Sequence, residues 1–302
     1  MRRIFIAGCV VLALVTGCKK AEKTSQEGNL QGKPLVIGLI PEQDIFSQME
    51  RYTPLAGYLS KKIGRRIELK ILTRYGNIVN NFISSGMDGA FFGSFTYTLA
   101  HAKLGVEVLA RPINLEGAST YYGLLFVRKD SAIISIKDMK GKRFVFVDKA
   151  TTAGYLLPLE YFYHNGVKNY KTYLAETYFA GTHEDAIHDV LEKKADIGAA
   201  KNTVFERLAK NDPRINNELL VLVKSPEVPE NALAVRRDLD EALKQGIKAA
   251  LLTMDEEAEG RTVLKTFGAQ RFIETTDKDY APVIEYAREI GLNLSTYDYL
   301  ND

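Results

Sequence analysis

The sequence predicts an α/β protein of two lobes, each a mainly parallel sheet flanked by helices, with a ligand cleft between them. Three observations predict it. Short apolar runs alternate with apolar residues at helical spacing along most of the chain, as expected of β-α units whose sheets are covered by helices. This alternation occurs in two blocks, separated by β-prone segments that read as crossings between lobes. The 302 residues are enough for two lobes of ordinary domain size.

The chain opens Met1-Arg2-Arg3 and then runs apolar from Ile4 to Val15. A charged start and a short apolar stretch form a signal peptide; the stretch is too short to span a bilayer, which needs ~20 residues. It ends Val15-Thr16-Gly17-Cys18, a bacterial lipobox pattern in which small residues fit the signal peptidase and the Cys18 thiol takes a diacylglycerol. The expected product is a lipoprotein anchored to a membrane of the cell envelope, facing the periplasm or outside. The other cysteine of the chain, Cys9, leaves with the signal peptide at residues 1–17. The mature domain then has no thiol for a disulfide or a Cys-based active site. Residues 18–33 are rich in Lys, Glu, Gln, Ser and Gly, too polar to bury a core, and read as a flexible tether.

Leu35 to Pro41 is an apolar run ended by proline, a buried strand. Ser47 to Ile63 has apolar residues at Met49, Leu55, Leu59 and Ile63, a helix stopped by Gly64. Ile67 to Leu72 reads as a strand and Tyr75 to Ser84 as a helix. Gly89 to Phe92 is a short strand that turns at Gly93-Ser94 into a third helix. In the second block, strands are expected at Arg143–Val147, Thr177–Ala180 and Asp196–Ala199, and helices at Ala153–Asn165, His183–Lys194 and Val204–Ala209. Tyr121–Arg128 and Leu219–Val223, the latter followed by Ser225 to Pro229, read as hinge strands. The expected lobes are 34–125 with 233–302, and 126–232 with the hinge strands.

Composition narrows the function. There are 40 basic and 38 acidic residues, and removal of Arg2 and Arg3 leaves 38 against 38. A neutral mature chain argues against nucleic acid, which needs a basic face. An anion would then be held by a local site. The absence of Trp makes a sugar platform less favoured. The four His are widely spread and suggest no metal site. There is no P-loop, H-E-x-x-H motif or G-x-S-x-G elbow, which leaves an enzyme acting on phosphate esters as a remote alternative.

Val147-Asp148-Lys149-Ala150-Thr151-Thr152-Ala153-Gly154-Tyr155 leaves a strand and enters a helix. The N–H groups of a first helical turn have no intrahelical acceptor, and with the helix dipole they attract anions. Thr151 and Thr152 can add hydroxyl donors, and Gly154 gives room for a ligand to approach. The same spacing also serves an ordinary Thr N-cap. Gly93-Ser94-Phe95-Thr96-Tyr97 and Ala180-Gly181-Thr182-His183-Glu184 have the same strand-to-helix form. His183 at a helix start is either structural or a hydrogen-bond donor to an oxyanion.

These segments together resemble the phosphate/phosphite/phosphonate substrate-binding proteins of ABC transporters. Asp148 to Pro158, with its Thr-Thr-x-Gly-Tyr-Leu-x-Pro run, is similar to that family's ligand loop; Ala180 to Glu184 resembles its second loop, Tyr52 to Leu59 its first helix, and Lys224 to Pro229 the stretch before its return to the first lobe. The order and spacing agree over nearly all of residues 34–290. The resemblance implies a type II periplasmic-binding fold, no chemistry, no cofactor, and delivery of a small oxyanion to an ABC permease and ATPase. It implies contacts from Thr151, Thr152 and the Ala153 backbone in one lobe, from His183, and from Tyr75 and the Phe92-Gly93-Ser94 turn in the other. Ala153 stands where the family often has a third hydroxyl, and Phe92 where it commonly has Tyr. At the positions that match the family's carboxylates for an aminoalkyl ligand, the chain has uncharged Thr203 and Asn231, with Lys149, Lys201 and Glu230 nearby. A buried ammonium without a carboxylate is costly, so 2-aminoethylphosphonate is expected to bind poorly, and phosphite, phosphate or a simple alkylphosphonate to fit better. Closure of the lobes on the ligand needs no partner copy, and a monomer suits it. A free-standing ligand sensor on the same fold is the alternative function.

Overall fold

A computed structural model describes residues 32–301. The first block runs β1 (Leu35–Leu39), α1 (Ile45–Ile63), β2 (Ile67–Ile71), α2 (Asn77–Asn80), β3 (Gly89–Phe92), α3 (Ser94–Leu104) and β4 (Glu107–Asn114). A two-residue strand, β5 (Thr120–Tyr121), leads into the second lobe. There the order is β6 (Gly123–Arg128), β7 (Arg143–Phe146), α4 (Leu157–His164), α5 (Tyr170–Tyr173), β8 (Glu176–Phe179), α6 (His183–Leu191), β9 (Ile197–Lys201), α7 (Asn202–Asn211), α8 (Pro213–Glu218) and β10 (Leu219–Lys224). The chain returns through β11 (Val228–Pro229) to β12 (Ala232–Val235), α9 (Glu241–Leu252), α10 (Ala258–Phe267), β13 (Ala269–Glu274) and α11 (Ala281–Glu289).

Two sheets organise the lobes. The first has strand order β13-β4-β12-β3-β1-β2 and the second β10-β6-β9-β7-β8, while β5 and β11 pair with each other as a hinge ribbon between them. The expected sheets are present and carry antiparallel strands among the parallel ones. In the first sheet β1 is parallel to β2 and β3, but β12 is antiparallel to both β3 and β4, and β13 to β4. In the second, β7 is parallel to β8 and β9, while β6 is antiparallel to β9 and β10. The reason is the hinge: β6 and β12 each enter their sheet from the neighbouring lobe without a helical crossover, so they run against the strands that helices connect. Strand β6 joins the second sheet from Gly123, three residues ahead of the expected boundary at 126.

Local signals explain most elements. Asp44 caps α1 by accepting from the N–H groups of Phe46 (3.0 Å) and Ser47 (2.9 Å), and Gly64 ends it in the left-handed conformation with φ 63°. One face of α1 sets Tyr52, Leu55 and Leu59 against β1 and β3 and against α10. The expected helix over 75–84 shrinks to α2 followed by turns. Its apolar residues Ile78, Val79 and Phe82 are nonetheless buried, so their spacing reports burial of a turn-rich segment. One buried apolar cluster passes through both lobes, from Phe92 and Phe95 to Val147, Ala153 and Leu156. The lobes therefore lie against each other, which brings the carboxyl ends of their central strands together.

Candidate functional site

Strand β7 ends at Phe146, and the chain makes a loop held by both local bonds and bonds from distant parts of the chain. The Asp148 carbonyl accepts from the Thr151 N–H (2.9 Å) and from the Thr151 hydroxyl (2.7 Å), and the Asp148 side chain accepts from the Ala150 N–H (2.8 Å). The following helix begins as a π turn over Thr152–Leu156 and continues as α4, where the sequence pattern predicts regular helix from Ala153. Its first internal bond is the Leu156 N–H to the Thr151 carbonyl, 3.1 Å. The N–H groups of Thr152, Ala153 and Gly154 precede that bond, at the helix start where backbone donors lack an intrahelical acceptor, and the three residues are buried. The role expected for Gly154 changes: a Cβ there would lie 2.4 Å from the Val147 Cβ, so glycine lets the helix start sit on the end of the strand.

The opposite lobe supplies the start of α3. Gly93 is its N-cap, Ser94 and Phe92 are fully buried, and Phe92 stacks on Phe82 at 6.3 Å. Here the two strand-to-helix turns bond directly. The Phe95 N–H donates to the Thr152 hydroxyl oxygen (2.8 Å), and the Thr96 hydroxyl donates to the Ala150 carbonyl (2.8 Å). Ser94 donates its hydroxyl to the Pro229 carbonyl in the hinge. The Tyr121 hydroxyl, at the other hinge strand, interacts with Thr152 and Ser94.

Tyr75 and His183 meet edge to face across the cleft, with ring centroids 5.9 Å apart. Tyr75 is 2% exposed, and its hydroxyl has no hydrogen-bond partner. His183 is the first residue of α6. Its Nδ1 accepts from the Lys201 N–H at 3.3 Å, which places the ring proton on Nε2. Burial, helped by the charges of Lys201 and Arg207, lowers the His183 pKa to about 3 against the opposing effect of Glu42. The ring is a neutral donor across the physiological range.

Asn231 sits in a buried charged cluster, and Thr203 lines the same cleft. The Lys201 ammonium, 4% exposed, is held by Glu42 (3.1 Å), by Glu230, and by the Asn231 side-chain oxygen (3.1 Å), and it lies 4.4 Å from the centre of the Tyr121 ring. The Asn231 amide donates to Glu42 at 2.8 Å. Burial disfavours the Glu42 charge, but Lys201, Arg51 and Arg207 outweigh it and hold the pKa down to about 2. Burial also opposes the charge on Lys201, yet Glu230 and Glu42 raise its pKa.

The comparisons with known proteins fit this geometry. Residues 37–280 match the family model described as "ABC transporter, phosphonate, periplasmic substrate-binding protein". The chain belongs to that family. It is 26% identical to the phosphonates-binding periplasmic protein of Escherichia coli, over 85% of this chain and 77% of the relative. It is also 26% identical to a probable ABC transporter phosphite-binding protein, PhnD1, of Prochlorococcus marinus, over 86% of this chain and 90% of the relative. The crystal structure of that Prochlorococcus protein with methylphosphonate superposes with a TM-score of 0.77 at 25% identity, covering 85% of this chain and 98% of the other. A binding protein of a Pseudomonas aeruginosa phosphonate transporter gives a TM-score of 0.80 at 24% identity, with 86% and 87% covered.

As a member of this family the chain is a substrate-binding component and not an enzyme, with the two-lobed type II periplasmic-binding fold. Of the expected site residues, Thr151, Thr152, Ala153, Phe92, Gly93 and Ser94 lie on the two facing turns, Tyr75 and His183 face each other beside them, and Thr203 and Asn231 line an adjoining cleft. Sequence reasoning passed over Glu42, Arg51, Arg207 and Tyr121. Glu42 follows β1, and residues just beyond the carboxyl end of a strand are where an α/β protein binds ligands. That signal was available. For the two arginines, inside α1 and α7, there was none.

Proposed function

We propose that the protein binds a small phosphorus oxyanion (phosphite, phosphate or a simple alkylphosphonate) between the facing turns and, closed around it, delivers it to an ABC permease with its ATPase. The observation that carries this reading is the buried, unpartnered Tyr75 hydroxyl beside the neutral His183 imidazole. Tyr75 belongs to the buried cluster that holds Ala150 and Ala153 of the turn at Thr152, which carries the helix N–H donors, and His183 packs on Tyr75. An oxyanion accepts from all three donor types, and hydrogen bonds to a charged acceptor are the strong ones. The contacts from one lobe are Thr152 and the Ala153 N–H, with the Thr151 hydroxyl turning to the ligand from the Asp148 carbonyl that accepts from it, and those from the other are Tyr75 and the Gly93-Ser94 turn. Closing is favoured because only the closed form lets both lobes touch the ligand.

Selection against an ammonium substituent has a firmer basis than the uncharged Thr203 and Asn231. Carboxylates do line the cleft, but Glu42 and Glu230 already hold Lys201. A ligand ammonium would have to displace a buried lysine. The relatives named for phosphonate, phosphite and phosphate support the ligand class and leave its member open. The lipid anchor rests on the pattern at Cys18, which lies outside the described residues. Incorporation of a fatty-acid label that is lost in Cys18→Ser tests it.

Titration calorimetry of residues 30–302 against phosphite, phosphate, methylphosphonate, 2-aminoethylphosphonate and sulfate tests the ligand reading. Heat from a phosphorus oxyanion, with little from the aminoalkyl compound, is expected. Tightest binding of 2-aminoethylphosphonate would reject the role given to Lys201, and no binding of any phosphorus compound would reject the ligand class.

A further inference from the structure

Beside the Lys201 cluster, a cleft of about 250 Å³ runs between the lobes and is lined by Arg51 of α1 and Arg207 of α7. The Arg51 Nε donates to the Phe267 carbonyl at 3.0 Å, and its guanidinium lies over the Phe267 ring at 5.4 Å. Its Nη1 is buried without a partner, and so are Nε and Nη2 of Arg207. Six buried side-chain polar atoms among the described residues lack a partner, and three of them belong to these two arginines. The charges interact: burial first, and then Arg51, lowers the Arg207 pKa.

No carboxylate of the cleft hydrogen-bonds the unpartnered arginine atoms, although the Glu42 and Glu230 charges oppose the effect of burial on Arg207. Glu42 and Glu230 are engaged by Lys201. Glu206 accepts from the Tyr122 hydroxyl and the Asn202 amide, each at 3.3 Å. Glu116 pairs with Lys210 across the rim at 3.8 Å. Arginine keeps its proton in proteins, and a buried charged donor without an acceptor is costly. Two guanidiniums, one from each lobe, are therefore brought together with donors that nothing in the protein satisfies.

We propose that this cleft is a second anion site, in which a carboxylate or phosphoryl group bridges Arg51 and Arg207. Planar guanidinium donors suit both groups. Resting on the oxyanion reading above, the ligand class becomes a phosphonate or phosphate that carries a second acidic group. One acid group is assigned to the turns at Thr152 and Gly93 and the other to the arginine pair; Lys201, which lines the arginine cleft, bonds through its N–H to His183 of the oxyanion site. An anion here ties α1 to α7 and so stabilises the closed form.

The test is calorimetric titration of the wild type, Arg51→Gln and Arg207→Gln with methylphosphonate, phosphonoacetate, 3-phosphonopropionate, malonate and succinate. Melting temperatures of the ligand-free proteins confirm that the variants fold. At least one phosphonocarboxylate is expected to bind the wild type roughly tenfold or more tightly than methylphosphonate, and each variant is expected to erase that advantage while leaving methylphosphonate unchanged. Arg207→Gln, which removes like-charge repulsion, is expected to melt no lower than the wild type. Equal affinity for methylphosphonate and the phosphonocarboxylates overturns the arginine site and leaves the oxyanion reading intact, as does an advantage that survives in both variants. Binding of dicarboxylates alone, lost in the variants, supports the arginine site and overturns the phosphorus reading. Silence across the panel overturns both.

Discussion

On the proposed reading, Tyr75 and Lys201 control what the site can hold, and Asp148 couples the loop beside it to pH. Tyr75 presents a hydroxyl with no partner, so its removal costs the ligand-free protein no hydrogen bond. Tyr75→Phe is expected to melt at or slightly above the wild-type temperature and to bind the oxyanion roughly tenfold more weakly, the loss of one bond to a charged acceptor. Lys201 joins Glu42 and Glu230 where water is excluded. Lys201→Ala leaves two carboxylates unpaired, and denaturant titration should show a loss on the order of 3–5 kcal/mol. The same variant should bind 2-aminoethylphosphonate more tightly than the wild type does. Asp148 is 1% exposed under the loop, and burial, against the Ala150 and Asn301 hydrogen bonds, raises its pKa to about 6. Its native value lies above its unfolded one, so the folded state holds this proton more tightly. The contribution is fully present below about 4 and is lost as pH rises through about 6, an effect of about 3 kcal/mol. His183, with a lowered value, acts in the opposite sense and loses stability as pH falls from about 6.5 toward 3. Asp148→Asn should flatten the stability curve between pH 4 and 6, which unfolding midpoints across that range will check.

Elements position these residues, and here the sequence was unevenly legible. The loop after β7 was visible because its cues are local: adjacent hydroxyls, a glycine and a strand before a helix. The π turn at its end was not, since it depends on how closely Gly154 approaches Val147. Gly154→Ala should therefore displace the turn and weaken ligand binding and stability together, read by calorimetry and thermal melting. The antiparallel β12 and β6 look like any apolar run until the hinge gives them direction. β4 and β13 were not anticipated, although they pair along their length. The Arg51–Arg207 cleft and the Glu42–Lys201–Glu230 cluster unite residues far apart in the chain; the place of Glu42 after β1 and of Lys201 and Glu230 near Thr203 and Asn231 was legible, but not their meeting. The C-terminal segment past α11 was equally silent. Tyr297 donates to the Lys149 carbonyl (3.1 Å), Asn301 bonds the Asp148 carboxylate (3.0 Å), and Lys103 of α3 reaches the Ser295 carbonyl (2.8 Å). The tail thus bridges the first-lobe helix α3 and the second-lobe ligand loop. Removal of residues 296–302 is expected to lower the melting temperature and to weaken oxyanion binding, because the Asp148 loop loses its outer support.

At the scale of the whole molecule, the proposed function makes ligand binding a choice between an open and a closed arrangement about the β5–β11 ribbon. In the structure, direct bonds join the lobes, including Phe95 to Thr152 and the Asp44 N–H to the Glu184 carboxylate at 2.9 Å. It also brings like charges together at Arg51 and Arg207. These opposing effects leave the balance to the ligand, as a carrier that must both capture and release requires. The measurement that tests the central claim most directly is titration of the wild type and Tyr75→Phe with phosphite and methylphosphonate, with sulfate as the control anion. The account predicts saturable binding of at least one phosphorus oxyanion, weakened roughly tenfold by loss of the Tyr75 hydroxyl, and little response to sulfate. Equal affinity of the two proteins for that ligand, or no binding of either phosphorus compound, would contradict it.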